Sequence, residues 1–130
     1  MLYTPEEKKK MDNLLEVFSE YTAQHPDFDI AYSDKSGYVR LIIADCADTV
    51  FFYLKNFDDL MEMFCMEIVF DEIDKQLTEN PSLTNKNVDY DTIRHHIQQF
   101  IDRLEKAYQE QAQTIADLYI LQKANSPCLP

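Results

Sequence analysis

Asp91 and His95 stand four residues apart, the spacing that brings two side chains onto one face of a helix. A carboxylate and an imidazole so placed make half of a metal site, and the other ligands would come from Glu62, Glu67, Asp71 or Asp74 upstream. His96 does not join them easily, because neighbours on a helix point about 100° apart. The chain has neither the Glu-x-x-His pair of di-iron bundles nor a His-Glu-x-x-His. The plainer reading is a helix-start carboxylate beside surface histidines. No metal and no cofactor is therefore assigned, with Asp91 and His95 as the residues a metal would use.

Two further groups invite the same question. Cys46 lies between Asp45 and Asp48, but a nucleophilic thiol needs a positive neighbour or a histidine, and two carboxylates act the other way. That segment reads as a turn. Arg40, between Tyr38 and Ile42 in a strand pattern, could clamp an anion, although an arginine laid over aromatic surface explains it as well. With a single glycine, Gly37, the chain builds no phosphate loop, dinucleotide fingerprint or nucleophile elbow in the usual form.

The elements that would position these residues follow from periodicity. Thr4-Pro5-Glu6-Glu7 is a helix start, with Thr4 as cap, Pro5 in the first turn and Glu7 placed to complete a capping box. Met11, Leu14, Leu15, Phe18 and Tyr21 then mark one buried stripe, ending before His25-Pro26. From Phe28 the period becomes two, through Ile30 and Tyr32. A four-residue loop from Asp34 to a left-handed Gly37 would set Ser33 opposite Tyr38. It would also lay Tyr32, Ile30 and Phe28 opposite Val39, Leu41 and Ile43, gathering the apolar side chains on one face. A turn at Asp45 to Asp48 leads to a third strand, Thr49 to Leu54. The second face of this meander keeps Tyr38, Ile42, Phe51 and Tyr53, more apolar than a solvated face should be.

Asn56 to Asn80 is the helix around which the rest is organised. Between Leu60 and Phe70 only Glu62 and Glu67 interrupt its apolar residues, so most of its circumference has to be covered. After a polar loop, Asp89 caps a last helix, with Val88 set to staple against Ile93. From Ile97 a heptad seam runs through Ile101, Leu104, Tyr108, Gln111, Ile115, Leu118 and Gln122. Helical to Ala124, this segment would reach about 50 Å, so either part of it projects or it bends near Gln109 to Gln113, where the seam turns polar.

Asp and Glu outnumber Lys and Arg by 24 to 12, a formal charge of -12 that repels phosphate backbones. The compact basic cluster Lys8, Lys9 and Lys10 reads as a solvated helix face. Three widely spaced cysteines, Cys46, Cys65 and Cys128, fit reduced thiols in a cytoplasm, and no apolar signal or spanning segment is seen. The expectation is an α+β fold in the order α-β-β-β-α-α, a three-stranded antiparallel meander packed on helices with a long C-terminal helix. Residues 1–124 form one domain and 125–130 a frayed tail. The function expected is that of a non-catalytic, acidic cytoplasmic protein that interacts with another protein or with itself as a homodimer, not with nucleic acid or membrane. Its contact residues would be Tyr38, Arg40, Ile42, Phe51 and Tyr53 on the sheet, or Ile101, Leu104, Tyr108, Ile115 and Leu118 on the last helix. Two alternatives are an acidic decoy that blocks a DNA-binding protein, and a metal-dependent enzyme using Asp91, His95 and helix carboxylates.

Overall fold

Thr4 caps the first helix as its position suggests: its Oγ1 accepts the N–H of Glu7 at 3.1 Å, and Pro5 occupies the first turn of α1, Pro5–Val17. The capping box stays half made. Instead of returning to Thr4, the Glu7 carboxylate accepts the N–H of Phe57 at 3.0 Å, satisfying an orphan donor at the start of another helix. A short α2, Ser19–Ala23, follows after a break at Phe18, where Ser19 Oγ donates back to the carbonyl of Glu16 at 2.7 Å.

This computed structural model describes residues 2–25, 28–43 and 49–125, with only the backbone of residues 42, 43 and 49. The expected turn at Asp45 to Asp48, the contribution of Pro26 to the helix stop and the tail after Asn125 lie outside the described residues. The fold is α+β: helices and a three-stranded antiparallel sheet, in the expected order and with a long final helix. The chain divides into two compact units, Met1–Leu60 and Met61–Pro130.

In the first unit the strands are β1, Asp29–Ser33, β2, Gly37–Ile43, and β3, Thr49–Leu54, with β2 in the middle. Gly37 is left-handed, with φ of 72°, as the turn requires. The loop, however, holds three residues, not four: Ser33 pairs with Gly37 and Tyr32 with Tyr38. Gly37 thus belongs to the ladder as its closing residue, and Ser36 N–H caps onto Ser33 Oγ at 3.0 Å. One residue of slip moves a whole strand face. Ile30 and Tyr32 therefore share a face with Tyr38 and Arg40, and the expected pairing of Tyr32 with Val39 is wrong.

A phenol wedge from α1's leading segment holds this end of the sheet. Tyr3 Oη donates to the carbonyl of Leu54 at 2.5 Å and accepts the N–H of Tyr38 at 2.9 Å. Its ring stacks on that of Tyr38, and Tyr38 Oη donates to Asp12 on α1. Lys8 completes the cluster, 3.0 Å from Asp12 Oδ2 and 4.8 Å from the centre of the Tyr32 ring.

The central helix is α3, Phe57–Glu79, and the division into units falls within it, after Leu60. Asn56 Oδ1 accepts the N–H of Asp59 at 2.9 Å, confirming it as the cap. Phe57, Leu60, Met61, Met63, Phe64, Cys65, Ile68, Val69 and Ile73 are all buried, while Glu62 and Phe70 are exposed, so the helix is covered over most but not all of its circumference. Each fully buried side chain of this size contributes roughly 1.5–3 kcal/mol relative to leaving it in water.

In the second unit, α4, Tyr90–Ile101, and α5, Lys106–Ala124, pack on each other as an antiparallel helical hairpin. Asp89 caps α4 by accepting the N–H of Thr92 at 3.1 Å, and both Val88 and Ile93 are buried. The interruption comes at Asp102 to Glu105, ahead of the expected bend at Gln109 to Gln113. Gln109 is part of the reason: its Nε2 donates to the carbonyls of Leu104 at 3.0 Å and Asp102 at 3.2 Å, so this polar residue next to the seam caps the turn. The far end is clasped by Asn85, whose Nδ2 donates to the carbonyl of Ala124 at 2.7 Å.

Candidate interaction site

Strand β3 carries four large apolar side chains in contact with water. Phe51 is 54% exposed, Phe52 51%, Tyr53 59% and Val50 42%. Among the described side chains of this strand only Leu54, beneath the Tyr3 wedge, is buried. Register divides them between the two faces of the sheet. Phe52 lies opposite Arg40 and shares its face with Val50 and Leu54, while Phe51 lies opposite Leu41 and Tyr53 opposite Val39. A strand open on one face lacks a covering layer. Strand β3 is open on both faces and, among the described residues, paired along one side only.

The direction of the backbone groups follows from the same wedge. Tyr38 and Leu54 are directly paired, and the Tyr38 N–H and the Leu54 carbonyl both meet the Tyr3 hydroxyl, so both point into the space between β2 and β3. Alternation along an antiparallel strand then turns the N–H and C=O of Phe52 toward β2 and those of Phe51 and Tyr53 toward the open edge. The opposite edge, β1, is shorter and carries the charge of Asp29, whereas Thr49 to Leu54 contains no charged residue.

Several residues expected at a contact surface are not at the surface. Tyr38 and Arg40 are 7% and 6% exposed, and Tyr38 is covered by Tyr3 and by its bond to Asp12 of α1; Phe51 and Tyr53, expected on the same face, lie on the opposite one because they pair with Leu41 and Val39. The Arg40 guanidinium lies 3.9 Å from the centre of the Phe28 ring. The side chain of Ile42 lies outside the described residues. In the helical hairpin, Ile101 and Leu104 are buried, and Tyr108 and Ile115 are half-buried. Leu118 is exposed and so is Leu121, which the heptad reading passed over. The buried stripe of α5 is Ala112, Ala116 and Ile120, set by close approach to α4 and not by the large residues of the seam.

The metal candidates stay apart from other ligands. Asp91 and His95 are both exposed, and Asp91 Oδ1 lies 3.6 Å from Arg94 Nη1. Among the described residues no group of three His, Cys, Asp or Glu side chains converges to hold a metal ion. The histidine that meets the central helix is His96, whose Nδ1 lies 2.9 Å from Glu72 Oε1. It was findable: His96 stands three residues after Ile93 and four before Phe100, both buried, and so belongs to the inward side of α4. Beside it is an open groove of about 440 Å³ lined by Glu72, Lys75, Gln76, Glu79 and Thr92 among others. Three of its polar residues are engaged with one another: Gln76 bonds both backbone groups of Asp89, and Thr92 Oγ1 donates to Asp89 at 2.7 Å.

Burial pushes the Cys65 thiol up to about 12, with Glu62 nearby adding to the effect, so it is held protonated and unreactive. Among the described residues no helix is long and apolar enough to cross a membrane. No family model matches this chain, and neither a curated protein nor a solved structure matches it.

Proposed function

We propose that this protein works without catalysis, as an interaction protein that associates with a second copy of itself through β3. One observation carries the reading: the four water-exposed apolar side chains of an uncharged edge strand, Val50 to Tyr53. Large apolar side chains left in water on both faces of one strand, on an otherwise acidic chain, support a contact surface there. The protein is assigned to a reducing cytoplasm, a reading supported by Cys65 as a buried free thiol.

Light scattering of three chains tests it: the intact protein, Phe51→Lys, and Leu118→Lys with Leu121→Lys. The expected result is self-association of the intact chain and of the α5 variant, lost in Phe51→Lys. A charge placed on the strand edge blocks pairing there. A monomeric intact chain at every concentration contradicts the proposal, and loss of association only in the α5 variant would move the contact to the last helix.

A further inference from the structure

We infer that Ser126 to Pro130, the residues that follow α5, turn back as a strap onto a groove along α3, with Leu129 seated between Ile73 and Leu77. The groove has a volume of about 380 Å³ and is lined, among the described residues, by Phe70, Ile73, Asp74 and Leu77. It belongs to the second unit, as α5 does, so the inference is independent of the contact proposed at β3. Its residues recur at intervals of three and four, which makes them one stripe of α3, about 10 Å long from Phe70 to Leu77. Phe70 is 37% exposed and Leu77 half-buried, so the stripe has apolar surface left to cover.

The occupant is picked out by where α5 delivers the chain. Glu72 meets His96 and Gln76 meets Asp89, so α4 runs back along α3. The Tyr90 hydroxyl, at the start of α4, lies 3.4 Å from the carbonyl of Lys123, which sets the last turn of α5 level with Gln76 and Leu77. The Lys123 ammonium then reaches 4.8 Å from the centre of the Phe70 ring, so the end of α5 is fastened to a side chain of the stripe itself.

The sequence beyond that point suits the groove. Pro127 has no N–H with which to continue α5 and pushes the residue before it out of the helical region, so the chain has to leave the helix axis there. Five extended residues span up to about 17 Å, more than the length of the stripe. Ser126-Pro127-Cys128-Leu129-Pro130 carries no charge, in a chain of formal charge -12, and Leu129 is its one large aliphatic side chain. Two prolines among five residues also lower the conformational freedom lost on docking. A short tether holds the segment beside the groove at an effective concentration of about a millimolar, which a second copy or another partner would have to exceed.

Nuclear Overhauser contacts in the dilute intact chain test the strap. The expected result is contacts from the Leu129 methyl groups to the Phe70 ring and the Leu77 methyl groups. Leu129→Asp, a change confined to the strap, should abolish the ordering of 126–130 and shift the Phe70 and Leu77 signals while those of α4 stay in place. Relaxation of an unrestrained chain at 126–130 in the intact protein overturns the inference. Contacts from Leu129 to side chains outside the stripe also overturn it. Contacts seen only between differently labelled copies would put the segment on a second molecule and overturn the strap in the same way.

Discussion

The hydroxyl of Tyr3 accepts the backbone N–H of Tyr38 at 2.9 Å, inserting a side chain where a strand carbonyl would otherwise stand. The same oxygen donates to Leu54, so one phenol bridges the ends of β2 and β3 across 35 and 51 residues of chain. Tyr3→Phe leaves a buried N–H and a buried C=O unsatisfied. Urea unfolding should show a loss of about 1–3 kcal/mol. An unchanged midpoint would mean that water or the strands themselves replace the bridge.

Gly37→Ala should cost more than its left-handed φ of 72° alone. An added β-carbon would lie 2.7 Å from Tyr3 Cζ and 3.0 Å from Cε2, besides meeting the hydroxyl itself. The backbone contribution is about 1–2 kcal/mol. In a Tyr3→Ala background the collision is gone and only that contribution remains, so the two substitutions together cost less than the sum of each alone. Strict additivity in thermal unfolding would show that the ring does not crowd the glycine.

Lys8, Asp12 and Tyr38 make the protein sensitive to alkali. Burial, and then the bond to Asp12, push the Tyr38 phenol up to about 12, and hydrogen bonds to Asp12 and Tyr38 raise the Lys8 ammonium to about 12. Both groups lie above their ordinary values of 10.0 and 10.5, so the folded chain holds more protons than the unfolded one in that interval. Their stabilisation is full below about pH 10 and disappears as pH rises through about 12. Unfolding midpoints measured across this window should fall, and Tyr38→Phe should fall less steeply. A flat profile would contradict the coupling.

Cys65 should behave as a core residue. In a chain with Cys46 and Cys128 replaced by Ser, a thiol reagent should leave native protein unlabelled and label it fully in denaturant. Rapid labelling at neutral pH would place that face of α3 in contact with water.

Local signals were the legible part of this chain. Thr4, Asn56 and Asp89 cap the helices their positions announce, and the lone glycine sits at the left-handed turn. Register was misread, because gathering the apolar residues of β1 and β2 on one face favours a four-residue loop, whereas Gly37 closes the ladder itself opposite Ser33. The seam misled for a related reason. Apolar spacing continues from Ile97 to Leu118 through a backbone break at Asp102 to Glu105, and α5 turns inward its small residues, Ala112 and Ala116, which carry little weight in a hydrophobic pattern. Exposure of β3 on both faces depends on which strand lies at the edge, and strand order is a tertiary fact that alternation within Thr49 to Leu54 does not contain.

If the open edge of β3 is a self-association surface, the mass of the protein in solution must depend on its concentration. Sedimentation of the intact chain over a wide range of concentrations tests this most directly. The expected result is a weight-average mass that starts at the 15.4 kDa of one chain in dilute protein and climbs toward twice that value, sooner when salt is added. A mass that stays at one chain at every concentration, with and without added salt, would contradict it.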